Sequence, residues 1–350
     1  GPDHSGTWAS EHGLVGLGHT RLAIVDLSVA GAQPMTSADG RWTVTYNGEL
    51  YNTDDLRRRL GGFRWRGHSD TEVFIEYVAR HGVVAALETV RGMFAFGCWD
   101  AENSELWLAR DRFGEKPLYY GWHRGTFLFA SELKALRAVP GFDPGIDRES
   151  LREYFRWANV PAPSTIYEGV YKLPPAHYMR VRGASSRPLP VPYWSALEVA
   201  KAAPVLPEDA DAVDHLGEVL DRAVGAQMVA DVPLGAFLSG GVDSSSVVAA
   251  MQHQSPTPVR TFTIGFSEPS YDESGHAAAV AAELGTDHTD LVVSPDDAMR
   301  VIPELPKIFD EPYADSSQIP TFLLSRMARE HVTVALSGDG GDELFGGYDR

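Results

Sequence analysis

The sequence predicts two folds in series: an α+β domain of layered antiparallel strands and helices over residues 1–182, then a doubly wound, parallel-sheet α/β domain over 209–350. Three observations carry this. Short β-rich runs dominate the first half. Strands and helices alternate in the second, the pattern of a sheet covered on both faces. Between them, residues 183–208 (GASSRPLPVPYWSALEVAKAAPVLPE) combine several prolines with little periodicity, which reads as a surface linker. A length of 350 residues also suits about two domains.

In the first half, Trp42–Tyr46 reads as a strand closed by Asn47-Gly48, a common turn pair. Phe94, Phe96 and Cys98 alternate along a second strand, which turns at residues 100–104 and returns through 106–108, 118–120 and 127–129. Together these form an antiparallel meander. Two helices interrupt it. One starts near Asp54-Asp55; the other starts at Ser69-Asp70, carries Val73, Phe74, Tyr77 and Val78 at helical spacing, and stops at Gly82. In the second half, a helix over 209–227 precedes a buried strand over 232–238, the segment SGGVDSS (239–245) and a helical run. A strand (259–266), a helix (273–284) and a strand (288–293) follow, then a helix (318–330) and a strand (332–336) that ends in SGDGGDE. Ligands of such sheets bind beyond the carboxyl ends of the strands, where both Gly-rich segments lie.

Composition narrows the partners. Thirty basic against 48 acidic residues give a net charge of -18, the wrong sign for a protein that grips a phosphate backbone. A single cysteine excludes an internal disulfide and fits a reducing, cytoplasmic setting. No apolar run approaches the ~18 residues of a membrane helix, and the first residues do not read as a signal peptide. Residue 1 is Gly and the final Gly347–Arg350 reads as mid-chain sequence, so the chain is expected to be a fragment.

Cys98 alternates with Phe94 and Phe96, which points its thiol into the core, where burial raises the pKa and no base stands near in the pattern. It is not expected to be a nucleophile. Three polar clusters at the ends of apolar runs are more telling. Arg21 heads Leu22–Asp26, a run that reads as a buried strand; Asn47-Gly48-Glu49 ends another; Asp70 opens a helix. Singly, each has an ordinary explanation as a surface charge, a turn or a cap. Together they supply a cation for a carboxylate, anions for an ammonium and amide donors for an oxyanion, the groups needed to hold a free amino acid and hydrolyse its side chain.

Gly240 and Gly241 let backbone amides approach an anion without a Cβ clash, and the helix that follows aims its free N–H groups at the same place. Ser239, Ser244 and Ser245 add hydroxyls. The common P-loop is excluded, because GxxxxGK[ST] is absent. Asp243 would repel a phosphate unless a cation bridged them; Mg²⁺ shared with Asp342 resolves the conflict, while a helix-capping role is the plainer reading of Asp243.

These motifs identify a resemblance. SGGVDSS resembles the pyrophosphate-binding loop of the PP-loop ATP pyrophosphatases, and SGDGGDELFGGY resembles the second nucleotide-site motif of asparagine synthetases. GLGHTRLAIVD, TYNGELYN, GHSDTE and RDRFGEKPLYY resemble a class II glutamine amidotransferase domain. Over essentially its whole length the chain is similar to the glutamine-hydrolysing asparagine synthetases. The resemblance implies an N-terminal-nucleophile-type amidotransferase fold followed by a PP-loop synthetase domain. It implies that Arg21 and Asp70 hold the carboxylate and amine of glutamine, that Asn47 and Gly48 form the oxyanion hole, and that Glu49 and the backbone of Leu22, Ala23, Ile24 and Val25 complete the pocket. Leu238 and Ile264 would meet the adenine end of ATP, Ser337 and Gly338 the nucleotide, and Asp339 would serve acyl-adenylate formation. Aspartate would be adenylated with release of pyrophosphate and amidated by ammonia that travels through an internal tunnel.

The family's glutaminase nucleophile is an N-terminal cysteine upstream of the GPDHSGTW motif, and its catalytic lysine region lies beyond GGY; neither is in this sequence. These residues alone are therefore not expected to hydrolyse glutamine. Two alternatives stay open: a relative that amidates another carboxylate, or a non-catalytic nucleotide-binding protein. The expected partners are glutamine, aspartate and ATP with Mg²⁺, without nucleic acid or membrane; a homodimer is left open.

Overall fold

The computed structural model describes residues 1–183, 186–203, 210–268 and 272–347. It divides into two units, Gly1–Ala203 with Pro306–Ala314, and Pro204–Leu305 with Asp315–Arg350.

The first unit opens with an antiparallel pair, β1 (His4–Ala9) and β2 (Gly16–Arg21). The apolar run after Arg21 is not the strand its composition suggests. The Arg21 guanidinium donates to the carbonyls of Val25, Asp26 and Ser28, and Asp26 takes a left-handed φ of 59°. A chain that curls its carbonyls onto one guanidinium and turns through a left-handed residue is not extended, so Leu22–Asp26 is a loop. Next come β3 (Met35–Thr36) and β4 (Trp42–Leu50), the helices α1 (Thr53–Leu60), α2 (Asp70–His81) and α3 (Val83–Thr89), then β5 (Gly92–Asp100) and β6 (Glu105–Arg110). Asn47-Gly48 is not a turn either: β4 runs through it for nine residues, with Asn47 opposite Ala95 and Gly48 opposite Phe94.

The expected meander splits between two sheets. β7 (Tyr119–His123) and β8 (Thr126–Ala130) leave the first sheet and, beyond α4 (Leu133–Arg137) and α5 (Arg148–Trp157), pair with β9 (Val170–Lys172) in the order β8-β7-β9. β10 (His177–Val181) and β11 (Val191–Pro192) extend the main sheet to six strands, β11-β10-β6-β5-β4-β3. Period two sorts its side chains. Val44, Tyr46, Phe94, Phe96 and Cys98 pack on one face with Leu56, Phe74 and Val78 of the helices, each such burial stabilising by ~1.5–3 kcal/mol. Ala95, Trp99 and Leu108 pack on the other with Leu118, Tyr120 and the half-buried Phe129. Cys98 is fully buried and burial pushes its thiol pKa up, as its place in the alternation predicts.

The proline-rich stretch carries more order than its composition announces. It contains β11 and α6 (Ala196–Ala202), and the Tyr193 hydroxyl donates to the Arg110 carbonyl at 2.9 Å. Residues 184, 185 and 204–208 of this stretch lie outside the described residues.

The second unit follows the predicted alternation: α7 (Ala210–Gln227), β12 (Leu234–Phe237), α8 (Val242–Gln254), β13 (Arg260–Phe266), α9 (Ser274–Leu284) and β14 (Asp287–Val293). After it come α10 (Pro295–Val301), α11 (Leu305–Ile308), α12 (Gln318–Ala328), β15 (Val334–Leu336) and α13 (Gly341–Phe345). The sheet is wholly parallel, in the order β14-β13-β12-β15. Ala236 and Leu238 face Val248, Met251 and Ala277, while Phe237 and Phe262 pack with Ala328 and Val332, so helices cover both faces. The strand order reverses between β12 and β15, which places a crevice beyond their carboxyl ends. No helix among the described residues is long and apolar enough to cross a membrane.

Residues 306–314 belong to the first unit by their contacts. Asp310 pairs with Lys134 at 3.2 Å, Glu311 pairs with Lys172 and accepts the Ile166 N–H, and the Ala314 N–H donates to the Ala158 carbonyl at 2.8 Å. Nothing in the sequence announces this docking.

Candidate active site

A cavity of about 830 Å³ opens in the first unit, lined by Arg21, Leu22, Ile24, Val25, Asn47, Gly48, Glu49 and Asp70 among others. The structure thus gathers the three polar clusters that the sequence singles out. Ala23 is the exception: it is not in the lining, and its N–H donates to Asp3 Oδ2 at 2.8 Å.

Arg21 ends β2 with its side chain turned inward, 8% exposed. The carbonyls that hold its guanidinium fix it but cannot neutralise it, and no carboxylate forms an ion pair with it among the described residues. Asp70 is the first residue of α2, whose cap is Ser69. Its carboxylate accepts from the N–H groups of Leu50 at 3.0 Å and Thr71 at 2.7 Å, yet burial still raises its pKa. Glu49 is pushed up to about 7, by burial first and then by Asp70, with Lys116 pulling the other way. Two carboxylates that cannot both ionise cheaply are a natural receptor for an ammonium.

Asn47 Nδ2 donates to Ser131 Oγ at 3.2 Å, which fixes the amide in the wall. At Gly48 a Cβ would lie 2.2 Å from the Met93 carbonyl oxygen and 2.6 Å from Phe94 Cα. Close strand approach, not a turn, explains this glycine.

The sequence reading passes over His19, Lys116 and Ser131, which also line the cavity. His19 carries a signal, lying two residues before Arg21 on β2. Its pKa falls to about 4, through burial first and also through the nearby Arg21, and its Nδ1 lies 3.2 Å from Thr45 Oγ1. Lys116 is set by Asp111, a fully buried carboxylate that accepts the N–H groups of Phe94, Phe113, Glu115 and Lys116.

In the second unit the two Gly-rich segments meet. Gly240 has φ 79°, and a Cβ there would lie 2.8 Å from Ala277 N. Ser239 and Ser244 bond to each other through their hydroxyls at 2.9 Å, closing the loop before α8, whose N-terminus at Gly241 has no side-chain cap. A Cβ on Gly338 would lie 2.7 Å from Ser244 N, and one on Gly341 would lie 2.2 Å from Asp243 Oδ2. The second motif therefore lies flat against the first turn of α8. The Ser245 hydroxyl is buried without a partner among the described residues.

Other expected nucleotide residues are placed less directly. The Leu238 side chain is 1% exposed in the core and Ile264 packs with Val293 and Leu323, so their side chains belong to the packed layers. Asp339 is exposed and accepts from Ser337 Oγ at 3.0 Å, a local turn. Asp342 follows Gly341, but a Cβ on Gly347 would lie 1.8 Å from its Oδ1, so its carboxylate packs against Gly347. Among the described residues no three His, Cys, Asp or Glu side chains form a metal-binding group.

A cavity lined by Arg21, Glu49 and Asp70 on antiparallel sheets, followed by a Gly-rich loop at the switch point of a parallel sheet, fits one class: an amidotransferase domain joined to a nucleotide-binding synthetase domain. The glutamine amidotransferase domain family matches residues 1–194, and the asparagine synthase family matches residues 215–350. The chain belongs to the glutamine-hydrolysing asparagine synthetase family. It is 38% identical to asparagine synthetase [glutamine-hydrolyzing] 1 of Bacillus subtilis, covering 100% of this chain and 54% of the relative. It is 36% identical to a putative asparagine synthetase [glutamine-hydrolyzing] 2 of Methanocaldococcus jannaschii, covering 99% and 70%. A relative named amidase chry2, from Gibberella zeae, is 35% identical, covering 100% and 54%. The chain thus spans about half the length of most of these relatives.

Proposed function

We propose that the protein is an ATP-dependent carbon–nitrogen ligase that makes asparagine. Glutamine hydrolysis yields glutamate and ammonia. ATP adenylates the side-chain carboxylate of aspartate with loss of pyrophosphate, and ammonia displaces AMP to form the amide. The observation that supports this best is the charge arrangement of the cavity: a buried Arg21 without an ion pair among the described residues, and two carboxylates, Glu49 and Asp70, whose pKa values burial raises. A free α-amino acid matches it, its carboxylate on Arg21 and its ammonium between Asp70 and Glu49. Asn47 Nδ2 and the Gly48 N–H are the donors for the oxyanion that forms as the carboxamide is attacked. Cys98, fully buried, takes no part.

In the second unit, the uncapped α8 N-terminus and the Ser239–Ser245 loop are suited to pyrophosphate oxygens, and Asp339 is the acidic residue for the adenylation step. Mg²⁺ fits the donor chemistry: the Asp243 carboxylate lies against Gly341 with no ion pair among the described residues, and magnesium needs only one or two carboxylates beside phosphate and water. When bound it would neutralise phosphate charge, with Asp243 and Asp342 as its protein ligands. A second reading keeps the chemistry and changes the acceptor, favoured by the full-length similarity to a protein named an amidase. ATP–pyrophosphate exchange in the full-length protein decides. Exchange that depends on aspartate supports asparagine synthesis, dependence on another carboxylate selects the second reading, and exchange with none refutes both.

A further inference from the structure

Asp26 takes no part in the proposed chemistry, yet its geometry is tightly constrained. It is a non-glycine residue at φ 59°, and its side chain is buried, the residue being 1% exposed. Conformations of this kind persist only where the surroundings over-determine them. Its carbonyl accepts from Arg21 Nη2 at 2.6 Å. Its Oδ1 accepts from the N–H of Ser28 at 3.1 Å and the hydroxyl of Ser28 at 2.5 Å, a local turn. Its Oδ2 reaches much further along the sequence and accepts from the His68 N–H at 2.8 Å. His68 directly precedes Ser69, the cap of α2, and Asp70 follows. Gly67 admits this carboxylate, since a Cβ there would lie 2.1 Å from Asp26 Oδ2. These bonds hold the carboxyl below the ordinary aspartate range although burial opposes them. Glu72 fixes the same turn through the N–H groups of Arg66 and Gly67, but it belongs to α2 itself and makes no bond to the Arg21 loop among the described residues.

We propose that Asp26 is a positioning residue that sets the separation of Arg21 from Asp70, so that the cavity measures an α-amino acid by its two charges together. Its main chain holds the cation and its side chain holds the start of the helix that carries the anion. The proposal rests on the reading of this cavity as a glutamine site. A buried aspartate that merely stabilised its own turn would need the Ser28 bonds and not the bond to His68.

The test compares two ligands of the full chain by calorimetry: L-glutamine, and 4-carbamoylbutanoate, which is glutamine without its amine. Asp26→Gly keeps the left-handed backbone and the carbonyl on Arg21 but removes the carboxylate tether. L-Glutamine should bind at least ~10-fold more weakly while the amine-free ligand changes less than ~2-fold, because only the amine reads the Asp70 side. Equal weakening of both ligands, or of neither, overturns the proposal. Should Asp26→Gly fail to fold, Gly67→Ala displaces the same carboxylate and should give the same loss of preference, with the same overturning outcomes. Arg21→Ala in parallel should weaken both ligands. If it weakens neither, the glutamine-site reading itself falls, an outcome separate from failure of the Asp26 proposal.

Discussion

Replacing Glu49 by glutamine removes a charge from the cavity without changing its shape. Glu49 is 8% exposed, and its pKa stands at about 7 against an ordinary 4.5, through burial and then the Asp70 carboxylate. The folded state therefore binds the proton more tightly than the unfolded chain. Its contribution favours folding below about pH 4.5 and is lost as the pH rises towards 7. A difference of this size is worth roughly 3 kcal/mol, an upper figure because the carboxyl keeps some contact with solvent. Glutamine cannot ionise, so Glu49→Gln should match wild type near pH 4 and gain on it progressively, by roughly 1–3 kcal/mol at pH 8. Urea unfolding of both proteins from about pH 4 to pH 8 measures this. The same variant should bind glutamine more weakly, since the ammonium loses one of its two anions. Stability curves that run parallel across the whole range would show that Glu49 is not strained by its site, and the charge argument for the cavity would fail.

Other outcomes follow from the same geometry. Arg21→Ala in the full-length protein should abolish glutamine-dependent synthesis while sparing synthesis from added ammonia; equal loss of both would remove Arg21 from the glutamine site. Asp243→Asn should cut adenylation ~100-fold or more with little change in melting temperature, where a mere helix cap would tolerate asparagine. Asp342→Asn should behave alike, and the pair should be far less than additive if both serve one ion; normal pyrophosphate exchange in either variant would refute the shared metal. Limited proteolysis should cut first within residues 183–208, most readily after Tyr193, where α6 buries no residue. First cleavage within the strands of residues 92–130 would contradict the division proposed there.

The second unit was legible because its short parallel strands alternate with helices, and two of them, β12 and β15, run straight into Gly-rich segments. In the first unit, local signals competed with long-range ones. Asn47-Gly48 carries turn chemistry, but the ladder to β5 outweighs it, and the glycine serves the approach of Met93 and Phe94. The run after Arg21 looks like a strand until one sees two of its carbonyls, and that of Ser28 just beyond, turned onto a guanidinium. Whether β7 continues the main sheet or starts another depends on contacts with β9, some 50 residues later, which adjacency in sequence cannot reveal. The cavity's charged residues could be singled out because each stands at the end of an apolar run or at a helix start. Its supports, Asp26 and Asp111, could not, because their partners are backbone amides that look alike in every sequence.

The docking of residues 306–314 bears on how this protein is made. Ribosomes deliver the chain from its N-terminus at ~5–20 residues per second. Lys134 and Lys172 emerge early, whereas Asp310 and Glu311 arrive more than 100 residues after Ala203, a wait of roughly 5–20 s. For that interval the amidotransferase unit holds two lysines without the acids that complete it. The first unit is thus completed only after residues 204–305 of the second have been made, and a nascent chain arrested before residue 306 should be cleaved by protease within residues 1–203 faster than one that has released residue 314.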